Sequence, residues 1–217
     1  MKSYSTILFD LDGTLTDPGL GITNGILYAL DKMGIEKPPR AELYDFIGPP
    51  LKATLMERFH LDAQGGTDAL RYYREFYSTV GLFENEVYPG IPELLQKLRE
   101  AGKTLIVATS KPEIYTKRIL ERFELAEYFH FVAGCTLEEE RLHKDEVIAY
   151  AIDQCGLAGK EAEIVMIGDR KYDMEGAKVN NLSRIGVTYG YGSKEELEKA
   201  GADATADTAK ELETLLL

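Results

Sequence analysis

Four stretches of this 217-residue chain set an apolar run beside groups able to do chemistry. Thr6-Ile7-Leu8-Phe9 is followed by Asp10 and Asp12, within Asp10-Leu11-Asp12-Gly13-Thr14. Thr104-Leu105-Ile106-Val107-Ala108 is followed by Thr109, Ser110 and Lys111. Ile164-Val165-Met166-Ile167 runs into Gly168-Asp169, with Asp173 just beyond. Lys144 follows a weaker run, Phe129-His130-Phe131-Val132-Ala133. Clustered carboxylates repel one another, and a divalent cation relieves that repulsion. Hard oxygen donors without a His/Cys set point to Mg²⁺ rather than zinc. Hydroxyls, ammonium groups and backbone N–H groups beside them would hold a phosphoryl group. The combination suits phosphoryl transfer, where positioning and charge neutralisation dominate. One carboxylate can also act as nucleophile.

Each residue has a plainer reading. An Asp-x-Asp after a strand is commonly a turn or helix cap, and Gly168-Asp169 is a common strand-to-helix turn. Asp173 would suit the first turn of a helix, where a negative charge meets the positive end of the dipole. Lys144 would be a solvated helix start, with Lys111 and Arg141 as other candidates for its role. Ser110 competes with Thr109. His143 reads as a surface neighbour, and Tyr72, Tyr73, Phe76 and Tyr77 as core. The carboxylate motifs recur at successive strand ends, and that recurrence favours the chemical reading.

The elements that must position these groups follow from periodicity. The four apolar runs named above and Arg184-Ile185-Gly186-Val187-Thr188 read as buried strands. Helical patterns cover Ile91–Ala101, Pro112–Phe123, Lys144–Cys155, Ser193–Ala200 and Thr208–Leu217, with proline and glycine punctuation at several ends. Alternating strands and helices imply a doubly wound α/β fold with a parallel sheet covered on both faces. In such sheets ligands collect beyond the carboxyl ends of the strands. From Asp17 to Val87 the periodicity is helical without a convincing strand. Residues 1–16 and 88–217 are thus expected to form the core, with 17–87 as an inserted helical domain.

Composition narrows the partners. A formal charge of −12 argues against nucleic-acid polymers and anionic membranes as partners. It also requires local positive charge to capture an anionic substrate. No apolar run approaches the roughly 20 residues of a membrane span. The amino terminus carries no signal-peptide pattern, so a soluble cytoplasmic protein is expected. Cys135 and Cys155 offer neither a disulfide framework nor a metal spacing.

Asp10-Leu11-Asp12-Gly13-Thr14-Leu15-Thr16 resembles the DxDGT motif of the haloacid dehalogenase superfamily. Thr109, Lys144 and Gly168-Asp169-Arg170-Lys171-Tyr172-Asp173 resemble its second, third and fourth motifs, in family order. Phe46-Ile47-Gly48-Pro49-Pro50-Leu51 and Val107-Ala108-Thr109-Ser110-Lys111-Pro112 resemble phosphoglycolate phosphatase-type members. The resemblance implies that the helical insertion is a cap. It implies Asp10 as nucleophile, Asp12 as proton donor and then base, and Thr109 and Lys144 as phosphate holders. Mg²⁺ would be bound by Asp10, Asp169 and the backbone carbonyl of Asp12, with Asp173 supporting. Gly48 and Pro49 would lie on a cap loop facing substrate. The implied activity is Mg²⁺-dependent hydrolysis of a small phosphorylated metabolite through an aspartyl-phosphate. A phosphoglycolate-type substrate leads, with a 5′-nucleotide or a sugar phosphomutase reaction as alternatives. A haloacid dehalogenase is disfavoured by Asp12, and a non-catalytic protein by the intact set of motif residues.

Overall fold

The computed structural model describes residues 3–217; Met1 and Lys2, counted with the core from sequence, lie outside it. The chain divides into two compact units, one ending its first segment at Thr16 and resuming over Val87–Leu217, the other Asp17–Glu86. Strand β1 (Thr6–Phe9) opens the first unit. Two short strands, β2 (Thr16–Asp17) and β3 (Glu86–Val87), pair where the chain passes from one unit to the other. Val87 falls in the first unit.

The second unit is helical: α1 (Gly19–Lys32), α2 (Leu51–Arg58) and α3 (Ala63–Tyr77), with a 3₁₀ turn over Arg40–Phe46. Asp62 caps α3 by accepting from Gly65 N at 2.7 Å. Ile22, Ile26, Ala29 and Leu30 form the buried face of α1, whereas Leu20 is exposed. Tyr73 and Tyr77 are buried and stacked at 5.0 Å, in keeping with a core role. A Cβ on Gly25 would come within 2.8 Å of the Tyr73 ring, so the glycine lets α1 approach α3 closely. The Gly48-Pro49-Pro50 segment ends at the cap of α2.

The first unit carries helices α4 (Ile91–Glu100), α5 (Glu113–Arg122), α6 (Lys144–Gln154), α7 (Lys171–Val179), α8 (Lys194–Lys199) and α9 (Ala209–Leu216). Its further strands are β4 (Thr104–Pro112), β5 (Phe131–Cys135), β6 (Ile164–Gly168), β7 (Ser183–Val187) and β8 (Ala204–Ala206). They form one sheet in the order β5-β4-β1-β6-β7-β8, and every pair is parallel. After β5 the chain crosses through α6 to β6, on the other side of β1. The order of winding reverses there, and the carboxyl end of β1 faces the resulting crevice. Leu8, Ile106, Ala133 and Met166 of the sheet pack against Val147, Ile148, Ala151 and Ile152 of α6.

Three elements depart from the sequence expectations. Strand β4 runs on to Pro112 through a bulge instead of stopping at Ala108, which leaves Pro112 as the cap of α5 rather than its first residue. Helix α7 shows no strong apolar stripe and contains Gly176, an unfavourable helix residue. The glycine answers to packing, because a Cβ there would lie 2.9 Å from Asp145 N. Strand β8 has three residues, too few for a periodic signal.

Ile106 is fully buried at the centre of this packing, whereas Ile114 is about half exposed. Ile106→Ala should lower the unfolding free energy by about 2–5 kcal/mol. Ile114→Ala should change it by less than about 0.5 kcal/mol. Urea denaturation of the two variants checks the contrast, and equal effects would contradict this core assignment.

Candidate active site

Asp10 leaves the end of β1 with its backbone held between neighbouring strands, Asp10 N donating to Ile167 O at 2.9 Å. Its Oδ1 accepts from Leu11 N at 2.8 Å. The same oxygen lies 2.8 Å from Lys144 Nζ. Lys144 also lies 2.8 Å from Asp173 Oδ1 and donates to the Ala108 carbonyl at 3.1 Å. The contact to Asp173 Oδ1 is an ion pair without hydrogen-bond geometry, which leaves that oxygen unsatisfied. Asp173 serves twice. Its Oδ2 accepts from Arg170 N at 3.0 Å and caps α7, while Oδ1 faces Lys144. Asp173 thus sits in the first turn of α7, as the plain reading expects, and also faces the Lys144 ammonium. Gly168 permits the arrangement, since a Cβ there would sit 2.1 Å from Asp173 Cγ.

Asp169 completes the group. One oxygen each from Asp10, Asp169 and Asp173 lie within 4.8 Å of one another, and all three residues are buried. Asp169 Oδ2 accepts from Tyr191 N at 2.7 Å, and Thr14 Oγ1 stands 3.5 Å from Oδ1. Tyr189, in the same loop after β7, donates its hydroxyl to the Thr14 carbonyl at 3.1 Å. Gly13, at φ +82°, passes so close that a Cβ would lie 2.1 Å from Asp169 Oδ2. The Tyr189–Tyr191 loop has no titratable carboxylate or lysine and was not among the sequence candidates. Its place beyond a strand's carboxyl end was the available signal.

Asp12 stands apart from the three carboxylates and pairs with Lys111, Nζ to Oδ2 at 2.5 Å. The sequence reading gives Lys111 as one of the ammonium groups at this edge and as an alternative to Lys144, without its pairing to Asp12. Thr109, Ser110 and Lys111 occupy the β4 bulge, three residues facing Gly134 alone between the pairs Ala108–Ala133 and Pro112–Cys135. A Cβ on Gly134 would meet the Lys111 carbonyl at 2.5 Å, so this glycine accommodates the bulge. Thr109 is buried and its Oγ1 accepts from Lys111 N at 3.3 Å, with Ser110 half-buried beside it. Arg141 is directed elsewhere: it donates to the Gly134 carbonyl at 3.2 Å and covers the Tyr150 ring. His143 is exposed and caps α6. Gly48 and Pro49 belong to the other unit.

Charge explains what this arrangement accommodates. Burial opposes ionisation of Lys144, but Asp10 and Asp173 outweigh it and hold the ammonium above its ordinary pKa. Burial, followed by the charges of Asp173 and Asp10, raises Asp169 well above the usual carboxylate range. Burial also raises Asp12, against the opposing pull of Lys111. When ionised, the three clustered carboxylates, two of them paired with Lys144, carry an excess of two negative charges over that ammonium, the charge of one divalent cation. Buried oxygen donors in excess charge fit a hard divalent cation, which the Asp10, Asp169 and Asp173 cluster could hold.

The same balance sets the stability of the metal-free protein. A carboxyl whose folded pKa is raised binds more protons folded than unfolded, so its destabilising effect grows as pH rises through that window. Asp169→Asn keeps an acceptor for Tyr191 N and removes one charge. It should raise the melting temperature of the metal-free protein by roughly 2–4 °C near pH 7.5, with the gain shrinking toward pH 4. Thermal melts in chelator check this. A loss of stability at neutral pH would contradict the charge argument.

Residues 7–187 match the family model described as haloacid dehalogenase-like hydrolase. The chain is 45% identical to a 5′-nucleotidase of Pseudomonas aeruginosa over 194 residues, 89% of this chain and 87% of that protein. It is 35% identical to the tyrosine-protein kinase PtkA of Mycobacterium tuberculosis, over 96% of this chain and 70% of that one. It is 31% identical to a phosphoglycolate phosphatase of Colwellia psychrerythraea, over 98% of this chain and 96% of that one. With a family match over most of its length and a buried aspartate cluster at the switch point of its sheet, this chain belongs to the haloacid dehalogenase-like hydrolases.

Proposed function

We propose that the protein is a Mg²⁺-dependent phosphatase of small phosphomonoesters that works through a phosphoryl-Asp10 intermediate. The observation that carries this reading is the Asp10–Asp169–Asp173 cluster, tied to Lys144 at the end of β1. Asp10 is the nucleophile, and Lys144 keeps its carboxylate ionised and oriented. Asp12 gives a proton to the leaving oxygen and later takes one from the attacking water. Thr109, Ser110 and Lys144 hold phosphate oxygens, Lys144 by exchanging one of its present partners. Mg²⁺ on Asp10, Asp169 and the Asp12 carbonyl, with Asp173 supporting, supplies charge neutralisation for the phosphoryl group.

A nucleoside 5′-monophosphate is the leading substrate, supported by the higher identity to the 5′-nucleotidase. The phosphoglycolate-type substrate expected from sequence stands second, supported by the near full-length relationship to phosphoglycolate phosphatases. The helical unit, Asp17–Glu86, acts as a cap that sorts leaving groups, with Gly48 and Pro49 on the sorting loop. A phosphomutase or a kinase would pass the phosphoryl group to an acceptor other than water, so release of inorganic phosphate separates those reactions from this one.

Two measurements test the proposal. Inorganic phosphate release over a panel of nucleoside 5′-monophosphates, phosphoglycolate and sugar phosphates should require Mg²⁺ and favour a nucleotide. Preference for phosphoglycolate would reverse the substrate order, and absence of phosphate release across the panel would contradict the function. In site variants, Asp10→Asn should lose at least about 10³-fold in kcat on every substrate. Asp12→Ala should slow turnover with Mg²⁺ affinity nearly intact, whereas Asp169→Asn should weaken Mg²⁺ binding. The opposite ranking in a Mg²⁺ titration would refute these roles.

A further inference from the structure

The proposed reaction assigns Asp12 a proton to move but leaves open which carboxylate oxygen moves it. Lys111 resolves the choice. Its ammonium is 2.5 Å from Asp12 Oδ2, and both side chains are largely buried. The other oxygen, Oδ1, is buried without a hydrogen-bond partner among the described residues. A buried carboxylate oxygen is seldom left unsatisfied unless a further group is due to meet it. An ammonium at 2.5 Å holds Oδ2 as an acceptor and disfavours a proton there. The position of Lys111 is itself fixed by the β4 bulge: its N–H donates to Thr109 Oγ1, and its carbonyl lies in the space Gly134 leaves open.

We infer that Lys111 is a positioning residue that clamps Asp12 through Oδ2 and so presents Oδ1 to the leaving oxygen of the ester. This rests on the phosphatase reading above. In the first half-reaction an Asp10 oxygen forms a bond to phosphorus. The phosphorus–ester oxygen bond breaks with its electron pair going to that oxygen, which takes the proton from Asp12 Oδ1 and leaves as the alcohol. In the second, water attacks the phosphorus and gives its proton to Asp12 Oδ1. The bond between Asp10 and phosphorus breaks with its electrons returning to the carboxylate. Inorganic phosphate leaves, and Asp12 is protonated again. Lys111 exchanges no proton in either step. It fixes the direction of a carboxylate that could otherwise rotate, and misdirection of a catalytic group is costly in rate.

The leaving group provides a readout that a merely structural lysine would not move. A poor leaving group such as the alkoxide of 2-glycerophosphate depends on protonation, whereas p-nitrophenolate departs with little help. We compare kcat/KM for 2-glycerophosphate and p-nitrophenyl phosphate, which reports the step that releases the alcohol, at saturating Mg²⁺. Lys111→Met should lower the ratio of the two values by about 100-fold, in the range of general acid catalysis. Lys111→Arg should recover a substantial part of that loss, and Asp12→Asn should show the same selective loss as Lys111→Met. Lys111→Gln replaces Lys111→Met if the latter fails to fold by circular dichroism. If the lysine variants lose activity equally on both esters, or only raise KM, while Asp12→Asn is selective, Lys111 binds substrate or supports the fold and the inference is overturned. If Asp12→Asn is itself unselective, the proton-transfer role of Asp12 fails, and the inference falls with that reading.

Discussion

A buried ammonium group between two carboxylates organises this site. Lys144 reaches from the start of α6 to Asp10 at the end of β1 and to Asp173 in the first turn of α7. Three non-adjacent segments of sequence are brought together at one atom. Burying such charges costs desolvation that their attraction only partly offsets, so the pair is weak evidence for stability in itself. Its consequence is placement. The sheet order sets β1 beside β6, the crossover brings α6 back over the sheet, and α7 locks against it with Asn180 Nδ2 donating to the Asp145 carbonyl at 3.0 Å. Gly176 and Gly168 allow the close approaches without which Lys144 and Asp173 could not meet.

The site is also unbalanced by design of its charges. Asp169 lies beside Asp10 and Asp173 with no lysine of its own, and Tyr191 N and the charge of Arg170 only partly offset its burial and the repulsion. A fold optimised for stability alone would not keep three buried carboxylates around one ammonium. Sites that bind divalent cations keep such an excess, and a stability cost at functional positions is the usual trade-off. Asp12 is handled differently. Its side chain lies outside the three-carboxylate group and is paired with Lys111, so its charge has a counter-ion of its own.

The doubly wound fold and the residues at the first strand end were legible because strict local rules produce them. A strand buried on both faces reads as an uninterrupted apolar run, and polar groups at its carboxyl end stand out. Thr6–Phe9 and Ile164–Ile167 are such cases. Lys144 was harder, since nothing local separates it from the charged residues around it; only the crossover singles it out over Lys111 and Arg141. The bulge that carries Thr109 to Lys111 was not legible, because it depends on Gly134 of a neighbouring strand. The Tyr189–Tyr191 loop contributes through a backbone N–H and a hydroxyl, groups that leave no signature of residue type. Of helix α7 only the start was signalled, by Gly168-Asp169 and Asp173; the rest, with Gly176, answers to packing against Asp145 and Lys144 rather than to helix propensity.

The central claim is that Asp10, not water, first receives the phosphoryl group. The stereochemistry at phosphorus tests it most directly. A phosphorothioate monoester made chiral at phosphorus with two oxygen isotopes is hydrolysed in water carrying the third, and the configuration of the released inorganic thiophosphate is determined. Two successive in-line displacements, onto Asp10 and then onto water, predict net retention. Net inversion would mean a single direct attack by water and would contradict the account.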